Sequence, residues 1–257
     1  MAVVKTSIAA VSYLNTIPFI YGIEHAGAGL HAELLLSPPR GCAEALRDGK
    51  ADLALIPVAA IPGISGLRIV TPYCIGASGP VRTVVLASAD PLENVDTVYL
   101  DSHSLTSVRL VRLLAAKLWK REFRWRELDD FSVLDDPKPR TGYVIIGDKV
   151  FAREAAFRYR YDLAEQWRLL TGLPFVFAAW VARGGVPEAT VDSLTEALAY
   201  GTAHIDEAIR RYGYGDRPYA RDYLTRNIDF VFDEQKRRAM ELYWEEGLRI
   251  EPPINPG

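Results

Sequence analysis

The chain has 257 residues, of which 49% are hydrophobic, and its 30 basic and 33 acidic side chains leave a formal net charge of -3. This composition supports one large core or two moderate ones, and the nearly balanced charge provides no surface for nucleic acid or a membrane. No apolar run reaches the roughly 18 residues that a membrane-spanning helix needs, and two cysteines are too few for a disulfide framework.

Short strand patterns alternate with helical ones, which predicts an α/β protein with mostly parallel sheets. A helix is predicted from Pro39 or Arg40 to Gly49, where glycine can adopt the left-handed conformation that ends helices. The strands predicted in this first part of the chain are residues 4–11, 32–36, 53–58, 68–75 and 82–88.

A second series follows, with apolar residues at helical spacing over residues 106–120. A further helix over residues 165–170 is predicted to end at Gly172. The remaining predicted elements are strands at 97–100, 144–146 and 175–182 and amphipathic helices at 191–211 and 234–246. The basic and aromatic residues 121–126 are interpreted as a solvated helix end.

Residues 11–18 combine a strand end, a polar turn and a helix start. Ser12, Asn15 and Thr16 are all helix-capping types, and Pro18 suits a first helical turn. The unpaired amides of such a turn can receive a carboxylate or a phosphate. The same pattern is also typical of an ordinary strand-to-helix turn, so on its own it leaves both interpretations open.

Five further motifs follow in order along the chain. They are residues 52–58, 78–84, 101–108, 146–148 and 162–180. Together with residues 12–16, this series resembles the chorismate dehydratases of the futalosine route to menaquinone. The resemblance covers most of residues 8–183, and the last quarter of the chain carries no comparable motif.

The resemblance implies a two-lobed, type II periplasmic-binding-protein-like α/β fold with a ligand cleft between the lobes. Strands near residues 82–88 and 175–182 would connect the lobes. We therefore predict a discontinuous lobe one, made of residues 1–86 and 181–257, with lobe two, residues 87–180, inserted. Strand ends from both lobes would line the cleft, which is the usual ligand position in open α/β sheets.

The activity implied is that of a hydro-lyase, which removes water from chorismate to form 3-[(1-carboxyvinyl)oxy]benzoate. Chorismate has two carboxylates, so two anion subsites are expected. The candidate catalytic residues are Asn15 and Ser78. The candidate substrate-binding residues are Ser12, Tyr13, Thr16, Arg40, Pro57, Gly79, Arg82, Ser102, Ser104, Thr106, Ser107, Gly147 and Asp148.

Several of these residues have a structural alternative. The hydroxyl-rich turn at residues 102–107 can bind a carboxylate or simply cap a helix. Arg82 can pair with an anion or serve the connection between lobes. Asp148 is interpreted as a helix cap or hinge residue rather than as a base.

The sequence provides no clear general base, since three of its four histidines lie outside the motifs and the fourth, His103, lies in the hydroxyl-rich turn. We therefore predict that the enolpyruvyl carboxylate of the substrate itself takes the C3 proton. Asn15 would orient that carboxylate or the leaving hydroxyl, and Ser78 and Ser12 would hydrogen-bond it.

Two alternatives remain open from the sequence. One is a non-catalytic protein that binds small carboxylates, and the other is the related 1,4-dihydroxy-6-naphthoate synthase. The chain has no nucleotide loop or zinc signature, so no metal and no cofactor are predicted. The expected partner is a small-molecule substrate, with no nucleic acid and no membrane, and the absence of a secretory signal pattern predicts a cytoplasmic protein.

Overall fold

The computed structural model describes residues 5–25, 30–101 and 104–247, in which strands and helices alternate along most of the chain. The strands are β1 (Thr6–Val11), β2 (Ala32–Ser37), β3 (Leu53–Pro57), β4 (Arg68–Ala77), β5 (Val84–Ser88), β6 (Thr97–Asp101), β7 (Arg124–Leu128), β8 (Thr141–Ile146), β9 (Tyr159–Asp162), β10 (Phe175–Ala182) and β11 (Asp229–Val231). The α-helices are α1 (Ile17–His25), α2 (Pro39–Arg47), α3 (Leu105–Leu114), α4 (Lys149–Arg153), α5 (Leu163–Thr171), α6 (Glu188–Ala203), α7 (Ile205–Arg211), α8 (Tyr219–Asp222) and α9 (Glu234–Gly247).

The chain divides into two compact units. The first contains the chain up to Gly76 and the segment Val176–Glu234, and the second contains Ala77–Phe175 and the chain from Gln235 onward. The first unit is therefore discontinuous, and its boundaries differ from those of the predicted lobe one. The strand β5, predicted to connect the lobes, lies wholly in the sheet of the second unit, so the change of unit precedes it.

The helix α9 also belongs to the second unit, whereas the sequence prediction assigned it to lobe one. Its Tyr243 is fully buried, with its ring 5.3 Å from that of Phe175 and 6.3 Å from that of Trp167. The Tyr243 hydroxyl donates to the carbonyl oxygen of Thr106 at 3.0 Å. Burial of this aromatic face explains why α9 belongs to the second unit. The prediction was wrong because helical periodicity shows that a helix has an apolar face but does not identify the surface that the face covers.

The first unit contains a six-stranded sheet in the order β11-β4-β10-β3-β1-β2. The strand β1 runs parallel to β2 and β3, but β10 runs antiparallel to β3 and β11 antiparallel to β4. The sheet is thus mixed, and the prediction of a mostly parallel sheet is wrong for it. Val11 pairs with Ser37, and Pro57 pairs with Ala178, so the ends of β1, β2 and β3 share one edge.

Helices α1 and α6 of the first unit cross at two glycines. A Cβ added to Gly22 would stand 1.9 Å from the carbonyl oxygen of Ala197, and one added to Gly201 would stand 1.8 Å from that of Pro18. Real Cβ atoms do not approach so closely, so only glycine allows the two backbones to meet here.

The second unit contains a five-stranded sheet in the order β7-β6-β8-β5-β9. The strand β6 runs parallel to β7 and β8, and β5 runs antiparallel to β8 and β9. Val84 pairs with Ile146, and Val85 pairs with Asp162. The start of β5 therefore shares one edge with the ends of β6, β8 and β9.

Several predicted element ends are confirmed. The helix α2 is followed by Gly49 with φ +75°, and α5 is followed by Gly172 with φ +74°. The helix predicted over 106–120 is α3 followed by a π-helical turn, after which Lys120 has φ +52°. Residues 121–126, interpreted as a helix end, lie partly in β7. No helix in the described part of the chain is long and apolar enough to cross a membrane.

Candidate functional site

The turn between β1 and α1 is held by the side chain of Thr16. Its hydroxyl lies 2.5 Å from the carbonyl oxygen of Val11 and 2.7 Å from that of Tyr13, and it accepts a bond from the Tyr13 amide at 3.3 Å. Thr16 is almost fully buried. The hydroxyl is therefore engaged within its own turn, and substrate binding by this hydroxyl stays a prediction.

The neighbouring Asn15 has the opposite character. Its side-chain oxygen Oδ1 is buried and has no hydrogen-bond partner among the residues that the structure describes. A buried acceptor without a donor costs roughly 1–3 kcal/mol, so proteins rarely leave one without a reason. This atom suits a ligand that brings a donor, such as a hydroxyl.

The other candidates of the first unit lie at or near the same sheet edge. Ser12 is exposed directly after β1, Tyr13 is partly exposed, and Pro57 is buried at the end of β3. Arg40 is exposed in the first turn of α2, and its Nε lies 3.4 Å from Glu44. An exposed pair of this kind contributes little to stability, which leaves the guanidinium available to an anion at small cost.

In the second unit, the start of α3 is capped by Ser104. Its hydroxyl accepts the amide of Ser107 at 3.1 Å, and Thr106 and Ser107 are almost fully buried. The capping interpretation is thus confirmed for Ser104, and ligand binding by this turn stays a prediction. The candidate Ser102 lies outside the described residues, as does His103.

Arg82 precedes β5 in an unusual backbone conformation, with φ +66°. Its amide donates to Oδ2 of Asp162 at 2.6 Å. Its guanidinium carbon lies 5.3 Å from the ring centre of Phe151, and its Nη2 is 3.9 Å from Glu154. The bond to Asp162 fixes the backbone of Arg82, and the Phe151 ring fixes the position of its guanidinium.

The carboxylate of Asp162 occupies the start of α5. Oδ1 accepts the amides of Ala164 and Glu165 at 3.0 and 3.1 Å. Burial raises the pKa of Asp162, and the bonds from backbone amides partly oppose that shift. This helix start is therefore filled by a carboxylate of the chain itself.

The segment after Gly76 carries Ser78 and Gly79. Ser78 is exposed, and its carbonyl oxygen accepts a hydrogen bond from Nη1 of Arg168. A Cβ added to Gly79 would stand 4.0 Å from the same Arg168 nitrogen, which is ordinary contact. Arg168, in the last turn of α5, therefore fixes the backbone of this segment, and catalysis by Ser78 stays a prediction.

The turn after β8 is fixed by Gly147, which has φ +72° and donates its amide to Thr83 at 2.8 Å. Asp148 follows at the N-cap position of α4, but its side chain makes no capping hydrogen bond. Asp148 therefore occupies the cap position without a capping bond from its side chain, and the hinge interpretation and substrate binding by Gly147 and Asp148 stay predictions.

An ion pair that the sequence did not predict lies at this edge. Lys149 Nζ lies 2.5 Å from Oδ2 of Asp101, the last residue of β6, and Asp101 is fully buried. The two residues are far apart in the chain, and only the lysine's place directly after the Gly147-Asp148 turn could have drawn attention to it. Within the described residues, no cluster of three or more His, Cys, Asp or Glu side chains suits a metal ion.

Comparison with solved structures defines the class of protein. The chain is similar to protein AF1704 of Archaeoglobus fulgidus, with a TM-score of 0.77 at 14% identity over 95% of this chain and 97% of that one. It is similar to the Candida albicans CA3427 gene product, described as having the generic periplasmic binding protein fold, with a TM-score of 0.63 at 14% identity over 97% and 92% of the two chains. The alkanesulfonate-binding protein SsuA of Xanthomonas axonopodis, bound to MOPS, gives a TM-score of 0.66 at 12% identity over 96% and 94%. The predicted periplasmic-binding-protein-like α/β fold is confirmed.

Sequence comparison then defines the family. A family model described as menaquinone biosynthesis matches residues 6–247, and the chain belongs to this family. A chorismate dehydratase of Thermus thermophilus is 27% identical over 217 residues, which cover 74% of this chain and 77% of that protein. The resemblance predicted from the motifs is thereby confirmed.

Proposed function

We propose that this protein is a chorismate dehydratase, a hydro-lyase that converts chorismate into 3-[(1-carboxyvinyl)oxy]benzoate and water. The family and the relative from Thermus thermophilus support this assignment. The observation in the structure that carries it is Oδ1 of Asn15, which is buried in the turn after β1 and has no hydrogen-bond partner among the described residues. A hydroxyl of the substrate would supply the donor that this atom lacks.

The reaction breaks two bonds of the substrate ring. A base takes the C3 proton, and the electron pair of that bond completes the aromatic ring. The C4–O bond breaks with its electrons going to oxygen, and the departing hydroxide takes up the proton held by the base and leaves as water. The ring carboxylate is conjugated with C3, so groups that neutralise it stabilise the negative charge that develops in the transition state. Aromatisation supplies the driving force.

The candidate residues of the two units take separate roles in the proposed reaction. In the first unit, Asn15 accepts a hydrogen bond from the C4 hydroxyl, and Ser12 hydrogen-bonds the enolpyruvyl carboxylate. In the second unit, Arg82 and the start of α3 hold the ring carboxylate, with Ser78 near the enolpyruvyl group. The enolpyruvyl carboxylate takes the C3 proton, so positioning by the protein supplies much of the rate.

Incubation of the purified protein with chorismate tests the proposal. We expect the aromatic enol ether to accumulate with time, as followed by proton NMR, and Asn15→Ala to abolish most of that signal. Because the proposed base belongs to the substrate, an excess of chelator is expected to leave the rate unchanged. Chorismate that persists unchanged beside folded protein would overturn the proposal.

A second candidate function is reversible binding of a small organic anion without chemistry. It is favoured by the fold that this chain shares with SsuA, whose solved structure holds the sulfonate MOPS. Calorimetric titration with chorismate separates the two functions, since a binding protein releases heat only until its sites are saturated and leaves the ligand unaltered. A dehydratase converts the ligand during the titration.

A further inference from the structure

The edge of the second sheet contains a buried carboxylate beside a partly exposed ammonium. Asp101 closes β6 and is fully buried, and Lys149 opens α4 with about a quarter of its side chain exposed. Their Oδ2 and Nζ atoms are 2.5 Å apart. This contact joins the end of β6 to the start of α4.

The ammonium is fixed from a second side as well. Nζ of Lys149 lies 3.8 Å from the ring centre of Phe131, which is cation–π distance. In the described part of the chain, Asp101 and Phe131 are the partners of this ammonium. An ammonium carries three N–H donors, so one contact with Asp101 leaves donors for solvent or a ligand.

The burial of this pair distinguishes it from the surface ion pairs of the same unit. Lys117 and Glu246 are 2.7 Å apart, but half of the lysine side chain and about a third of the glutamate side chain are exposed. Burying a charge as Asp101 does is costly, and such pairs seldom add net stability over apolar residues. The cost suggests that the pair serves a purpose other than stability.

A second cation, Arg82, lies at the same edge of the sheet, next to the start of the neighbouring strand β5. Val84 of β5 pairs with Ile146 of β8, so Arg82 precedes one member of this pair and Lys149 follows the other. Each cation is held against a phenylalanine ring, Arg82 against Phe151 and Lys149 against Phe131. Two fixed cations beside the paired ends of adjacent strands can together recognise a carboxylate.

We propose that Lys149 is a substrate-binding residue that contacts the carboxylate of an aromatic or dihydroaromatic acid at this edge, and that Asp101 is the residue that positions its ammonium. The proposal deepens the proposed function and rests on it for the identity of the ligand. Arg82 and Lys149 together would bind the ring carboxylate, whose charge is the one that must be neutralised during the reaction.

The test is calorimetric titration with 3-[(1-carboxyvinyl)oxy]benzoate, the proposed product, which requires no turnover. Loss of a charge-assisted hydrogen bond corresponds to about a tenfold or larger loss of affinity, and this is expected for Lys149→Met. Lys149→Arg should retain most of the affinity because it keeps the charge. Lys117→Met is the matched control and should bind as the wild type does.

A double variant separates binding from folding. Lys149→Met alone removes the ammonium that contacts the buried carboxylate of Asp101 and is expected to lower the melting temperature. Asp101→Asn combined with Lys149→Met removes both charges and should recover much of that stability. If Lys149 contacts the ligand, the affinity stays low in the double variant; recovery of affinity along with stability would overturn the proposal.

The outcomes also distinguish this inference from the proposed function. If the wild type binds the product through Lys149 but leaves chorismate unchanged, the proposed function fails and the inference stands. If the wild type converts chorismate and the double variant has an unchanged KM, the inference fails alone. A raised KM in the double variant, with Lys149→Arg close to normal, supports both.

Discussion

At the scale of single residues, Asn15 and Thr16 are adjacent polar residues with different surroundings. The hydroxyl of Thr16 meets two carbonyl oxygens and an amide of its own turn, whereas Oδ1 of Asn15 has no partner among the described residues. Substitutions at the two positions should therefore affect different quantities. Substitution of Asn15 should lower activity, and substitution of Thr16 should lower stability.

For Asn15→Ala we expect kcat to fall by about a hundredfold or more at saturating chorismate, because the substrate loses the group that orients its C4 hydroxyl. The melting temperature should stay close to that of the wild type, because the oxygen that is lost bonds to nothing in the described chain. Asn15→Asp should also be slow, since it places a negative charge beside an anionic substrate. A parallel loss of kcat and melting temperature would contradict this prediction.

Thr16→Val keeps the shape of the side chain and removes its hydroxyl. The carbonyl oxygens of Val11 and Tyr13 then lose a buried donor, which should lower the free energy of unfolding by about 1–3 kcal/mol. Chemical denaturation measures this change. Thr16→Ser is the control and should recover most of the loss; equal stability of the two variants would show that the hydroxyl does not hold the turn.

Asp162 predicts a pH dependence of stability. Folding raises its pKa, chiefly by burial, so the native carboxyl keeps its proton to a higher pH than the unfolded one does. The stability that this group contributes is therefore full below the ordinary aspartate pKa and is lost as pH rises through the raised value. The difference in unfolding free energy between wild type and Asp162→Asn should fall over this range. A difference that is constant or that rises with pH in denaturant titrations would contradict the prediction.

At the scale of elements, the helix ends show what local sequence determines. Gly49 and Gly172 adopt the left-handed conformation that was predicted for them, and Ser104 caps α3. A cap or a terminating glycine acts on residues within one turn, so its signal is contained in the sequence nearby.

The strands missed from the sequence are the short ones at or near sheet edges. The strands β7, β9 and β11 have five, four and three residues and carry several charged or exposed side chains. They pair with strands elsewhere in the chain: Trp125 of β7 pairs with Val98 of β6, and Asp162 of β9 pairs with Val85 of β5. Propensity does not predict such pairings, because the partner rather than the segment stabilises the strand.

The candidate site follows the same division. The hydroxyls and the amide of residues 12–16 stand out locally because several capping types occur together in one turn. The pair formed by Asp101 and Lys149 cannot be predicted from local sequence, because the register of β6 against β8 brings the two residues together. The hydrogen-bond partners of the hydroxyls were not predictable from the sequence either. The Thr16 hydroxyl bonds to the backbone of its own turn, and the Ser104 hydroxyl caps α3.

At the scale of the whole molecule, the last described helix completes the unit that begins at Ala77. Tyr243 of α9 is buried beside Trp167 and Phe175. Tyr243→Ala should therefore lower the free energy of unfolding by about 3–5 kcal/mol, as large-to-small changes at buried aromatic positions do. Tyr243→Phe loses only the bond to Thr106 and should cost about 1 kcal/mol. Similar small losses in both variants, measured by denaturation, would mean that α9 contributes little to this core.

The crossing of α1 and α6 restricts which sequences this chain can reach by mutation. At Gly22 and Gly201, the atom that a new Cβ would strike is a backbone carbonyl oxygen, so no second side-chain replacement can make room. We expect a saturation library selected for folded protein to retain glycine at both positions, singly and in pairs, while Gly63 and Gly184, which have nothing within 4 Å among the described residues, accept many replacements. The two glycines would thus be fixed without co-varying, and divergence of this unit would have to proceed around them.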